Sequence, residues 1–144
     1  MRLINTLQLS VIAVVQSLLV GAGAGQSCLP FEPKVVTLSG TLTVRAFPGR
    51  PNYEDTLRGD EPEHVWILRL DRAVCVEPDS SSRPLNDPQD NVRDIQLAVV
   101  GDSLVPRVRS LVGHRITARG QLFSEETGHH HTPVLLLLRD LRAT

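Results

Sequence analysis

Residues 35 to 46 alternate between two kinds of side chain, and this period of two is the feature that most limits the fold. The apolar members are Val36, Leu38, Leu42 and Val44, and the hydroxyl-bearing positions between them are Thr37, Ser39, Thr41 and Thr43. Because successive side chains of a strand point to opposite faces, the pattern predicts a long strand with one buried face. Gly40 lies inside it and predicts a bend or a bulge.

Further strands are predicted by short apolar runs separated by polar stretches. The runs span residues 65–76, 95–100, 114–123 and 134–139. The stretches between them contain proline, glycine and charged residues and predict loops at residues 48–63, 78–91 and 124–133. No internal repeat is present, and the core must be aliphatic because the chain has few aromatic residues.

A short helix is predicted between the third and fourth strands. Ser103 is a suitable N-cap, the apolar positions continue to Leu111, and Gly113 suits the C-terminal end. Three strands, a short helix and two strands form the layout of an OB-fold. We therefore predict an all-β domain with one short helix, a small OB-fold-like five-stranded barrel, over residues 25–144. An open β-sandwich or a split barrel is the competing topology, since periodicity does not report strand pairing.

The N-terminus has the pattern of a secretory signal. Arg2 precedes a long uncharged stretch that ends in small residues, and Ala22 and Ala24 fit the rule for signal cleavage. We predict a signal peptide over residues 1–24 and a periplasmic or secreted product, with no stable membrane insertion after cleavage. An uncleaved anchor is the alternative, because a span needs ~20 residues.

The chain contains two cysteines, Cys28 and Cys75. In an oxidising compartment, two cysteines in a small exported domain usually pair, so we predict a disulfide between them. Two buried unpaired thiols are the alternative.

Charge and aromatic content argue against nucleic acid as a partner. The formal net charge is -1, and removal of Arg2 with the signal would make it more negative. The aromatic residues are too few for a platform that stacks bases. Lys34 is the only lysine among the basic residues, an arginine bias that suggests a GC-rich bacterial genome.

Three consecutive histidines form the most distinctive motif. In an extended segment His129 and His131 share a face, so they are candidate ligands for zinc or copper, while His130 points away. In an OB-like barrel this loop lies on the same rim as residues 48–64, where His64 and a carboxylate are placed to complete a site. Alternatively the histidines bond to neighbouring loop backbone and fix the turn, or they sense pH.

The segment from Thr127 to Leu136, with glycine, histidines, Thr-Pro and aliphatic residues, resembles an uncharacterised family of exported bacterial domains, the domain of unknown function 4431. Residues 66–70, 75–76 and 95–97 extend the resemblance over most of the chain that follows the signal. The resemblance implies a secreted bacterial domain. It implies no activity, because the family has none assigned.

No catalytic motif is evident. Ser124 beside Glu125 and Glu126 lacks the strand-turn-helix context of a nucleophile, and no zinc-protease or phosphate-loop motif occurs. We expect the acidic residues of the first loop to form a solvated surface. They are Glu54, Asp55, Asp60, Glu61 and Glu63. We predict that the protein is not an enzyme.

The sequence therefore predicts an exported, noncatalytic binding or interaction module. Its ligand is a protein, a glycan or a metal, and the binding surface is the rim at residues 48–64 and 124–133. A partner surface needs exposed rim side chains such as Tyr53 and Arg58, whereas Trp66 is expected in the core. The alternative is a transition-metal-binding protein that uses the histidines.

Overall fold

The structure, a computed structural model, describes residues 27–82 and 86–144. The signal peptide predicted for residues 1–24 lies outside the described residues. Across the described ranges, no helix has both the length and the apolar character needed to span a membrane.

Strands dominate the described chain, which has one α-helix. In chain order the elements are β1 (Leu29–Pro30), β2 (Val35–Pro48), a 3-10 turn (Thr56–Arg58), β3 (Pro62–Glu77), β4 (Gln89–Ala98), α1 (Val105–Ser110), β5 (Arg115–Ser124) and β6 (Val134–Ala143). The predicted all-β class with one short helix is confirmed.

Hydrogen bonding between the five long strands closes into a ring. β2 pairs antiparallel with β3 and with β5, β3 pairs antiparallel with β4, and β5 pairs antiparallel with β6. β4 and β6 pair in parallel and complete the ring, while β1 adds a short parallel strand beside β3. Because an open sandwich would leave its outer strands unpaired, this connectivity favours the predicted OB-like barrel.

The core lies inside the ring and is aliphatic. Val36, Leu38 and Leu42 of β2 are buried, as their alternation predicts, and they pack with inward residues of every other long strand. Trp66 lies against this core and is partly buried. Val44, predicted on the buried face, is 43% exposed because β2 runs past the core towards its C-terminal end.

Several predicted element boundaries are corrected by the structure. β4 begins at Gln89, six residues before the predicted start, because Val92 and Asp94 continue the pairing with β3. The helix begins at Val105, and its N-cap position is Leu104 with no side-chain cap, so Ser103 is not the cap.

The predicted disulfide is confirmed. Cys28 and Cys75 are joined, and the described residues contain no unpaired cysteine. The bridge ties the start of the described chain to the end of β3, next to the pairing of Leu29 with Val76. Phe31, three residues after Cys28, is fully buried in the core.

Candidate binding rim

Two loops meet at one end of the ring, and together they form the rim, defined as residues 48–64 and 124–133. The Tyr53 hydroxyl lies 3.0 Å from Nε2 of His129. Gly128 packs against the Tyr53 ring so closely that a Cβ at position 128 would lie 2.8 Å from a ring carbon. The structure thus places the histidine loop, residues 124–133, against the loop between β2 and β3, as expected for an OB-like barrel.

Glu63 lies at the centre of the rim and contacts two of the histidines. Its Oε1 is 2.8 Å from Nδ1 of His129, and its Oε2 is 3.1 Å from Nε2 of His131. An ionised carboxylate only accepts, so His129 donates from Nδ1 and His131 from Nε2. In the neutral imidazole, Nε2 of His129 is then the acceptor, and the Tyr53 hydroxyl donates to it.

The pKa of Glu63 is set by two opposing effects. Partial burial raises it, but the hydrogen bonds that His131 and His129 donate lower it by more, and the net direction is downward. Glu63 is therefore a carboxylate at neutral pH, which agrees with its role as acceptor for both rings.

Gln96 of β4 fastens the histidine loop to the outside of the ring. Its side-chain amide donates to the carbonyl of His129 at 2.8 Å and accepts from the backbone N–H of His131 at 2.7 Å. Gln96 is only 7% exposed. Ile67 and Leu135, its register partners, are fully buried and do not belong to the main core cluster inside the ring.

Replacing Gln96 with methionine is expected to lower the free energy of unfolding by about 2 kcal/mol, because two part-buried hydrogen bonds to the loop backbone are lost. Amide hydrogen exchange at residues 129–131 should rise by a larger factor than exchange in the strands. The matched control is Gln121→Met, since Gln121 makes its hydrogen bonds at the exposed surface. Equal effects of both variants on the loop would contradict the assigned role.

His130 points away from Glu63, as predicted. Its Nδ1 accepts from the backbone N–H of Glu126 at 2.8 Å, and its ring lies edge-on to Phe123 with centroids 5.5 Å apart. Burial of the ring lowers the pKa of His130, with smaller opposing effects from nearby carboxylates. One of the three histidines thus bonds to loop backbone and helps to fix the turn.

Acid is expected to loosen the histidine loop through His130. The pKa of His130 in the folded protein lies below the ordinary value of 6.5. Its contribution to the free energy of unfolding is therefore complete above pH 6.5 and is lost as the pH falls through the folded pKa. Protonation converts Nδ1 from acceptor to donor and breaks the bond from Glu126. Exchange of the Glu126 amide, corrected for intrinsic rates, should accelerate below pH 6.5 in the wild type. In His130→Asn, whose side-chain oxygen accepts without titrating, this acceleration should be absent.

Asp60 performs the corresponding role in the other loop. Its carboxylate is 5% exposed and accepts from the backbone N–H groups of Asn52, Glu54 and Asp55 at 2.8 to 2.9 Å. The bonds from Asp55 and Glu54 are the main cause of its lowered pKa. The prediction that Asp60 belongs to a solvated surface is wrong, because it organises the loop from inside.

The structure brings together some of the predicted site residues and separates others. His129 and His131 converge, but His64 is exposed and is adjacent to Glu63 in β3, so the two side chains point to opposite faces. Within residues 27–82 and 86–144, no group of three or more His, Cys, Asp or Glu is arranged to hold a metal ion. Of the two groups expected to complete the site, the carboxylate is present as Glu63, and His64 is not part of the cluster.

Two hollows adjoin the rim. One, of ≈ 270 Å³, is lined by Gly49, Arg50, Glu61, Pro62, Glu63 and His129. The other, of ≈ 360 Å³, lies between the end of β2, the start of β4 and residues 131–133. There the rings of Phe47 and His131 stack 4.5 Å apart, and the Arg45 guanidinium lies over Phe47. Charged and aromatic groups of the rim are therefore accessible from two sides.

Part of the chain matches a known protein family. The model of a family described as Domain of unknown function (DUF4431) matches residues 94–142. The matched segment includes Gln96 and the whole histidine loop, and it confirms the resemblance stated from the sequence for this part of the chain. No curated protein matches the chain.

Proposed function

We propose that the chain, of which residues 94–142 match the model of the DUF4431 family, is an exported, noncatalytic binding module whose ligand contacts the rim. The hollow beside Arg50, Glu61 and His129 presents both signs of charge and an imidazole. Such groups suit a polar ligand, which is held by directed hydrogen bonds.

The observation that carries this proposal is the set of buried polar anchors beneath the rim. Asp60 and Gln96 are buried, and the side chain of each makes hydrogen bonds to the backbone of a rim loop. Burying polar groups is costly unless they are bonded, and fixing a loop costs conformational entropy. A loop that is ordered in advance loses less entropy when it binds, so these anchors favour a ligand site.

The backbone at Tyr53 gives a second argument. Tyr53 has φ 60°, a left-handed conformation that is uncommon for a residue with a large side chain. Such conformations cost free energy and concentrate at ligand sites. Here the conformation accompanies the contact between Tyr53 and His129, which joins the two loops.

Export is supported by the disulfide and by the sequence of residues 1–24. Disulfides persist in oxidising compartments and are rare in the cytosol. The bridge between Cys28 and Cys75 is compatible with an exported domain. A periplasmic or secreted location follows from the proposal and is tested by fractionating cells that express the full chain.

The binding proposal is tested by nuclear magnetic resonance titration of the full, oxidised chain with uncharged and amino-sugar oligosaccharides. We expect saturable shifts at Tyr53, His129 and His131, and affinity about tenfold lower in Glu63→Gln, because both histidines lose their carboxylate acceptor. The control is Glu54→Gln, which removes an exposed acid from the same loop. Shifts that spread over the surface, or that are equal in both variants, would contradict a rim site for these ligands.

Transition-metal binding is the second candidate function. It is favoured by the convergence of two imidazole nitrogens on one carboxylate, since nitrogen and oxygen donors are the ligands that zinc accepts. Zinc and copper titrations should then give stoichiometric binding that is lost in His129→Ala/His131→Ala. The matched control removes two exposed histidines that do not contact Glu63, His64→Ala/His114→Ala. Binding that the control loses equally would exclude a metal site built on His129 and His131.

A further inference from the structure

The outward face of β2, β5 and β6 carries a regular array of arginines and hydroxyls, far along the strands from the rim. This array is called the arginine face and is defined as Thr37, Ser39, Arg115, Thr117, Arg119, Asp140, Arg142 and Thr144. Strand register sets its rows: Thr37 is opposite Arg119, Ser39 is opposite Thr117, and Thr117 is opposite Arg142. Neighbouring strands lie ~4.8 Å apart, so side chains in a row are close enough to contact one ligand.

The hydroxyls of this face form a continuous line. The Ser39 and Thr117 oxygens are 3.2 Å apart, and the Thr117 and Thr144 oxygens are 3.1 Å apart. A shallow hollow of ≈ 190 Å³ beside this line is lined by Thr37, Thr117, Arg119, Asp140 and Arg142. The face therefore combines hydroxyl oxygens of fixed position, which can still accept hydrogen bonds, with a depression that runs across strands.

Two arginines of the face are not neutralised by a carboxylate. Arg119 and Arg142 are exposed, and neither has an ion pair within the part of the chain that the structure describes. Asp140, which is opposite Arg119 in register, contacts Arg107 of α1 instead, at 3.6 Å. Arg115 is paired with Asp71. The residues of the arginine face thus carry a net positive charge, although the net charge of the whole chain is -1.

We propose that the arginine face is a second binding surface, and that its ligand is an acidic glycan bearing carboxylates. Guanidinium groups bind carboxylates in forked geometry, and the line of hydroxyls matches the hydroxyls of a sugar. Strand register holds the arginines and hydroxyls of the face in rows. A linear glycan with repeated carboxylates can therefore contact more than one arginine.

Other polyanions fit this face less well. A membrane surface would need apolar side chains to insert, and the exposed large apolar residues of the described chain are Val44, Leu57 and Val100, none of them on β5 or β6. Single-stranded nucleic acid is bound on aromatic side chains that stack against the bases. The face has none, since Phe123 of β5 lies beyond it and is covered by His130.

The test titrates the full, oxidised chain with a galacturonate oligosaccharide and with an uncharged maltooligosaccharide of equal length. We expect shifts at residues 37, 117, 119 and 142, weakened by salt, from the acidic sugar alone. In Arg119→Gln/Arg142→Gln the affinity should fall by about tenfold or more, since two charge contacts are lost. The control is Arg69→Gln/Arg109→Gln, which removes the same charge from exposed positions outside both the rim and the arginine face and should change affinity less than about twofold.

Several outcomes would overturn the proposal. Absence of binding at low salt, or equal losses in the two double variants, would show that the array does not select this ligand. Chemical-shift changes confined to the rim would show that the acidic sugar binds there and not at the arginine face. Equal or tighter binding of a single-stranded oligonucleotide at the same residues would exclude the assignment to a glycan.

Discussion

Loss of the Cys28–Cys75 bridge is expected to lower the free energy of unfolding by about 4 kcal/mol in Cys28→Ala/Cys75→Ala. The bridge closes a loop with a sequence separation of 47 residues. In the chain-entropy account a cross-link of that span restricts the unfolded ensemble by about this amount. The measurement is a pair of urea unfolding curves, which give the difference directly if the transitions are two-state.

The control for this prediction is the wild-type chain in reducing agent, which opens the same bridge without changing the sequence. Both samples should unfold at similar urea concentrations. The first segment to loosen should be the one that holds Phe31, whose side chain is fully buried and whose backbone bonds to Glu77. A difference below about 1 kcal/mol would show that β1 and Phe31 hold this segment without the bridge.

The strands were predictable because their signal is local. In β2 the inward and outward positions differ in chemistry at nearly every residue, so the sequence predicts the strand. Its observed C-terminal end lies two residues beyond the predicted one. The start of β4 was missed because Gln89 to Asp94 are mostly polar. Those residues form a strand through their pairing with β3, a partner that is distant in sequence.

The rim was predictable in outline only. That the two loops lie together follows from the OB layout, and the convergence of His129 with His131 follows from their spacing. His64 and a carboxylate were both expected beside them, and the structure places only the carboxylate, Glu63, there. His64 is excluded because neighbouring residues of a strand point to opposite faces. Gln96 gave no signal either, because an amide within an apolar strand does not reveal a hydrogen-bond partner 33 residues away.

The two proposed surfaces differ in how the fold positions them. The rim depends on buried polar anchors in loops, so its geometry should respond to acid and to changes at Gln96. The arginine face depends on strand register, which is fixed by the core on the other side of the same strands. Variants that loosen the histidine loop should therefore leave binding at the arginine face unchanged, a separation that the titrations above can measure.

Replacing Gly40 with alanine is expected to lower the free energy of unfolding by about 3 kcal/mol. Gly40 pairs with Leu70 of β3 on one side and with Ile116 of β5 on the other, so it lies where β2 passes from one partner to the next. A Cβ at this position would lie 2.2 Å from the carbonyl oxygen of Arg69. That oxygen belongs to the backbone of a paired strand, so the steric clash can be relieved only if the strands themselves move apart.

The control for Gly40 is Thr41→Ala, an exposed position next to it on the same strand. Its cost should stay within about 1 kcal/mol, because only strand propensity and surface contacts change. Gly120→Ala should resemble Gly40→Ala, since a Cβ there would lie 2.2 Å from the carbonyl oxygen of Leu137. If both glycine variants were as stable as Thr41→Ala, the close approach of strands at these two points would not be required, and the sequence would tolerate a wider ring.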